Sequence, residues 1–344
     1  MTDDDPAGST STDSPGTDPA LAPFETDDTV HRLEFDVSWP PFHVAAYLVE
    51  GPEPILIDAG PPGGEARTAL VDQLLPLGYE PADIDHVVLT HPHVDHVGQV
   101  PTLRASGAAV YAAAAVCEQL SRSESALEAG VREVGSAAGY EGDDLDDAVG
   151  QALESLQRNR ELVEPDRTIS FPANGEFAVG NRQFRAIRTP GHQQYHASLE
   201  TSVDGAPVCF SGDALIESFR PGILHVGLDH GAYDAVDAFH RGLDRLAESG
   251  ATRVYPGHGP VFDDRVGVVE LTRRRLDRLV AGTRDALGTV EPATPVEIAT
   301  ERVGEIQYAL QLLDTMGALG TLEAREDVTV EVDEGRRYYR LCEP

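Results

Sequence analysis

Four side chains able to hold a metal ion stand within six residues, in Thr90–His91–Pro92–His93–Val94–Asp95–His96. The preceding His86–Val87–Val88–Leu89–Thr90 is a short apolar run that reads as a strand, so the backbone is fixed where the cluster begins. In an extended loop His91 and His93 point to the same side. Asp95 and His96 follow as the chain turns into a helix, where they face a neighbouring ion. Neutral imidazole suits zinc, iron or manganese, and a carboxylate suits the harder ions of that set. Four ligands do not complete two metal sites. Three later turns offer more: Thr189–Pro190–Gly191–His192, Ser211–Gly212–Asp213 and Pro256–Gly257–His258–Gly259. Each sets one His or Asp at the carboxyl end of an expected strand, beside glycine that lets the backbone approach closely.

The elements that must position these residues alternate along the chain. The segments 43–49 and 54–58 predict two strands joined at Gly51–Pro52. A helix is expected from Gly64 to Leu77, with Leu70, Leu74 and Leu77 on one face. A short helix after the cluster leads to a strand near 108–111. Residues 112–165 read as a helical insert in which Leu145, Val149, Leu153 and Leu156 form one stripe. That stripe reads as core packing; a lid or a dimer surface beside the site is the alternative. Strands are expected at 168–171, 175–179, 184–188, 196–201 and 208–211, then a helix near 235–249 and a strand at 253–255. This pattern suggests two sheets covered by helices rather than one doubly wound parallel sheet. From Arg265 the order becomes helix (266–287), helix (295–303), helix (305–317) and a hairpin of 328–332 with 337–341, the order of a winged helix. The expected division is a disordered acidic tail at 1–27, too poor in large apolar side chains to order itself, a catalytic domain at 28–264 and a small winged-helix-like domain at 265–344.

Leu56–Ile57–Asp58–Ala59–Gly60, the run from His91 to His96–Val97–Gly98, His192, Asp213 and His258 occur in an order that resembles the metallo-β-lactamase-fold hydrolase superfamily. The resemblance covers about residues 30–262. It implies an α/β fold, a four-layer αβ/βα sandwich with the site at one edge. It assigns His91, His93 and His192 to a first metal and Asp95, His96 and His258 to a second, with Asp213 bridging. Asp58 is implied as a support for the histidine loop rather than a ligand, and His196, four residues after His192, as structural. The bridging Asp213 resembles the hydrolase branches and not the antibiotic-degrading lactamases. His93 stands where the flavodiiron branch carries Glu. His225 and His230, in a Gly-rich stretch, are candidates for the pocket lining.

Two metals about 3.5–4 Å apart share a hydroxide whose parent water is acidified toward a pKa of about 7. The expected enzyme is therefore a binuclear metal-dependent hydrolase using a bridging hydroxide, with zinc, or else iron or manganese, as its two divalent ions. Asp95 is the expected proton acceptor as a tetrahedral intermediate collapses. A small-molecule thioester, lactone or ester, as in glyoxalase-II-like enzymes, is the first expectation for substrate. The C-terminal domain raises a lactamase-like endoribonuclease or phosphodiesterase as an alternative. An iron-dependent persulfide dioxygenase and a regulatory protein whose metal domain senses a ligand are others.

Charge weighs against nucleic acid. The chain carries 59 acidic and 26 basic residues, all of the latter arginine, for a net charge of −33. Residues 294–344 hold eleven acids against five arginines, whereas nucleic-acid readers usually present a basic face. Acids spread along the whole chain suggest a halophilic host, since molar salt shortens the Debye length to about 3 Å and blunts their repulsion. The acidic start lacks the layout of a secretory signal, and no apolar run is long enough for a membrane span. A cytoplasmic protein is expected. Cys117, Cys209 and Cys342 are too widely spaced for a thiolate zinc site or a disulfide framework. Cys209 reads as a buried structural thiol.

Overall fold

The computed structural model describes residues 29–342, so the expected tail at 1–27 lies outside the described residues. The first half runs β1 (Val30–Asp36), β2 (His43–Val49), β3 (Ile55–Ile57), α1 (Gly64–Leu74), β4 (His86–Val88), α2 (Val94–Val97), α3 (Val100–Ala105), β5 (Ala109–Ala113), α4 (Ala114–Leu120), α5 (Glu124–Ala138), α6 (Gly142–Val163) and β6 (Ile169–Phe171). The second runs β7 (Gly175–Val179), β8 (Arg182–Arg188), β9 (Ala197–Val203), β10 (Ala206–Gly212), α7 (Ala235–Ala247) and β11 (Arg253–Pro256). The chain ends with α8 (Arg265–Val290), α9 (Pro295–Val303), α10 (Ala309–Ala324), β12 (Val328–Asp333) and β13 (Arg336–Leu341).

The first six strands form one sheet in sequence order, and β11-β10-β9-β8-β7 form a second. In the first sheet β3 to β6 are parallel, so β3 and β4 deliver their carboxyl ends, with Asp58 and the histidine cluster, to the same edge. In the second, β10 and β11 are parallel and deliver Asp213 and His258 together. The sheets face one another across an aromatic contact of Tyr47 from β2 with Phe210 and Tyr255, at ring distances of 5.7 and 5.2 Å. Side-chain alternation along β10 explains how one strand serves two cores. Val208 and Phe210 join the core between the sheets, whereas the buried Cys209 points the other way, into a core with Phe239 and Leu243 of α7.

That second core also holds Leu276 of α8, Leu312, Leu319 and Leu322 of α10, and Tyr339 of β13. The helices and hairpin after Arg265 therefore pack on the outer face of the second sheet's helix layer. Two helix boundaries differ from expectation. The first helix stops at Leu74 and continues as a 3-10 turn over Leu75–Leu77, because Pro76 has no N–H to extend the α-helical ladder. The last helix begins at Ala309, not Glu305, and runs to Ala324. The Gln311 side chain accepts from the amides of Gln307 and Tyr308 and sets that start, while buried Leu319 and Leu322 carry the helix past Gly317. Among the described residues no helix is long and apolar enough to cross a membrane.

Candidate metal centre

Asp58 follows β3 in a left-handed conformation (φ 59°) and turns its carboxylate into the protein. It accepts from the Thr90 amide at 2.8 Å, from the Thr90 hydroxyl and from His96 Nδ1 at 2.9 Å. Because the Thr90 hydroxyl donates to Asp58, it accepts from His91 Nδ1, 2.9 Å away. Both rings thus carry their proton on Nδ1 and present a bare Nε2 to the site. The chain closes tightly around this loop. A Cβ on Gly98 would lie 2.0 Å from the backbone of Pro61 and Pro62, so only glycine fits there.

The second sheet supplies two more rings in the same state. His192 Nδ1 donates to the Gly222 carbonyl at 2.7 Å, and His258 Nδ1 donates to the His43 carbonyl at 2.6 Å. Their Nε2 atoms are bare as well. His91 Nε2 lies 3.0 Å and His192 Nε2 2.9 Å from His93 Nδ1. Three nitrogens cannot satisfy one another with the protons left to them. Their spacing approaches the roughly 3.3 Å edge of a tetrahedron of nitrogens around zinc. His96 Nε2 and Asp213 Oδ1 are buried without a hydrogen-bond partner and aim into the same space, which a cation would satisfy. The donor atoms fall into three overlapping groups: His91, His93 and His192; His91, His96 and Asp213; Asp95, His96 and His258. All seven residues that the sequence singles out as ligands are therefore brought together.

A family model for the metallo-beta-lactamase superfamily matches residues 39–258. The chain belongs to that superfamily. A probable metallo-hydrolase, YqjP of Bacillus subtilis, is 28% identical over 307 residues, which cover 86% of this chain and 93% of the relative. The crystal structure of metallo-beta-lactamase family protein TTHA1429 from Thermus thermophilus superposes with a TM-score of 0.72 at 24% identity, covering 91% of this chain and 99% of that one. A beta-lactamase domain protein from Burkholderia ambifaria superposes with a TM-score of 0.69 at 18% identity, over 93% of this chain and 94% of its own. These last two show the fold. The chain is a metal-dependent hydrolase of this superfamily.

Within this metallo-β-lactamase fold, electrostatics divide the centre. Burial holds the rings of His91 and His93 well below the usual imidazole range, helped by the neighbouring histidines. Burial likewise lowers His192. Burial also works against charge on His96 and His258, but Asp213 and Asp95, with Asp58 at His96, outweigh it and raise both rings. Asp213 is held well below the carboxylate range, because His258 and His96 outweigh its own burial. One side is thus neutral imidazole, and the other is an imidazole–carboxylate cluster.

His196 faces away from the donor atoms. Its Nε2 accepts from the Asp213 amide at 3.1 Å and its Nδ1 donates to Thr189, so it braces the Asp213 backbone. A cavity of about 980 Å³ opens onto His93, Asp95, His192, Asp213 and His258. Its walls come from the 112–165 insert, including Leu156 of the expected stripe, and from the segment after Asp213, including Leu224. Trp39 in the β1–β2 loop and residues 304–310 before and within α10 complete it, and no motif flags them in the sequence. His225 lines the cavity and is buried; His230 is exposed, pairs with Asp229 at 3.3 Å and lies outside the lining. His43 was also unmarked by the sequence. Its Nε2 accepts from the Gly259 amide at 2.9 Å while its own carbonyl holds His258.

Proposed function

We propose that the protein is a binuclear metal-dependent hydrolase acting on a small-molecule thioester, lactone or ester. The Asp213 carboxylate carries this reading. One oxygen lies 3.4 Å from His96 Nε2, and the other lies 3.4 Å from His192 Nε2 and 3.3 Å from His258 Nε2. A single carboxylate thus reaches both donor groups, as a ligand shared by two ions must. His91, His93 and His192 would hold one ion and Asp95, His96 and His258 the other, with zinc the best match to the imidazole-rich set and iron or manganese as alternatives. Such a pair supplies an acidified water and polarises the substrate carbonyl, so the chain needs no serine or cysteine nucleophile. Asp95, at the cavity wall and 3.5 Å from His258 Nε2, is placed to move a proton at the leaving atom. Leu156, Leu224 and Leu310 offer the acyl part of a substrate an apolar wall.

The winged-helix-like reading of the C-terminal elements is kept here as part of the pocket rather than a nucleic-acid reader. On the hairpin, Arg336 pairs with Glu141 and Arg337 pairs with Glu323 at 2.8 Å. The Arg337 guanidinium also lies 4.8 Å over the Tyr233 ring. These cations are engaged within the chain, which leaves less charge for phosphates. The test is an assay of metal-loaded protein in high salt against a thioester, a lactone, a bis-nitrophenyl phosphodiester and single-stranded RNA. Turnover of the thioester or lactone is expected; cleavage of RNA alone overturns the proposal.

A further inference from the structure

His192 is braced by a backbone carbonyl, that of Gly222. A carbonyl is only as well placed as the chain that carries it, and Gly222 lies in the irregular segment between β10 and α7. That segment is pinned from the C-terminal part of the molecule. The Asp314 carboxylate, on α10, accepts from the Arg220 guanidinium at 3.2 and 2.6 Å and from the Ile223 amide at 2.9 Å. The same guanidinium donates to the Pro221 carbonyl at 2.7 Å. Leu310, one turn before Asp314, packs over Gly222 itself. Residues on both sides of Gly222 are therefore held by one carboxylate.

Asp314 is an unfavourable choice for its own helix. It is buried in the interior of α10, where Asp has low helix propensity and an unpaired charge would be costly. Its hydrogen bonds all run to residues 220–223. Only a carboxylate serves all three donors. An amide offers a single acceptor oxygen and would turn its own N–H groups toward donors.

We propose that Asp314 is a positioning residue for the three-histidine metal site, acting through Arg220, Ile223 and the Gly222 carbonyl on the ring of His192. The inference rests on the metal-binding reading above. It gives the C-terminal elements a part in the metal centre, although they contribute no ligand to it.

The experiment titrates protein carrying 15N-labelled histidine with zinc against a competing chelator, so that each ring reports its own ion. Asp314→Asn is expected to weaken zinc at His91, His93 and His192 by ~10–100-fold, the range for outer partners of metal ligands. The His192 Nδ1–H signal shifts or exchanges faster, and the Asp95, His96 and His258 group loses much less. Equal loss at both groups, or no loss at either, overturns the proposal. Leu322→Ala, two turns further along the same buried helix face, is the control for general loosening. It lowers the melting temperature without site preference, and the same selective zinc loss in this variant would also overturn the proposal. If Asp314→Asn does not fold, Arg220→Lys is read by the same criteria, since it keeps the charge and loses the two-pronged contact. Wild-type protein that takes up no zinc would remove the metal-binding reading instead, which is a different failure.

Discussion

His91 and His96, from the N-terminal half of the chain, have their outer nitrogens held by the side chains of Thr90 and Asp58. His192 and His258, from the C-terminal half, have theirs held by the backbone carbonyls of Gly222 and His43. Both arrangements fix the same tautomer and the same bare Nε2. They differ in what can disturb them. A side-chain brace is lost to one substitution, whereas a carbonyl brace survives substitution and fails only when its segment moves. The first half of the centre is thus set locally, by two strand ends and one helical turn. The second is set by how distant segments dock.

Asp213 joins the halves, so its removal gives the largest effect. Asp213→Ala is expected to lower activity by more than the ~100-fold typical of outer-shell changes and to reduce bound metal from about two ions per chain. Metal analysis showing unchanged stoichiometry would defeat the shared-ligand assignment.

Next come the two braces themselves. Asp58→Asn should cost ~10–100-fold in metal affinity, because it disturbs contacts to Thr90 and His96 together. His43→Ala should fall at or below the low end, ~10-fold, since the carbonyl that holds His258 remains and only the contact to the Gly259 amide is lost. Chelator competition on both variants measures the gap. A larger loss for His43→Ala than for Asp58→Asn would erase the distinction between side-chain and carbonyl bracing.

The smallest effect concerns His196, which braces Asp213 through the backbone. Burial lowers its ring from 6.5 to about 3 in the folded protein. Between those values the unfolded chain binds a proton that the folded chain does not, so stability falls as pH drops from 6.5 toward 3. The contribution to the slope is up to ~1.4 kcal/mol per pH unit. His196→Gln is expected to remove that share in urea unfolding of the metal-free protein between pH 4 and 6.5. An unchanged slope would mean that the imidazole is not held neutral.

Strand ends and turns were legible because apolar runs and glycine punctuation report local backbone preference. The strand before the cluster, the hairpins of the second half and the terminal hairpin all follow from such patterns. The start of α10 was not legible, because the Gln311 side chain and burial of Leu319 and Leu322 override the local signal near Gly304. Trp39 and residues 304–310 were missed at the cavity for a similar reason: they line it only because separate parts of the fold meet there.

The sequence by itself determined which side chains can bind metal, since imidazole and carboxylate chemistry is written in residue type and His91 to His96 are neighbours. It also identified Asp58 as a support, because that support is a side chain. Every residue has a carbonyl, so nothing in the sequence marks those of Gly222 and His43. Only the tertiary structure decided that they would face His192 and His258, because hydrogen bonds to the backbone depend on where segments dock and not on which residues they contain.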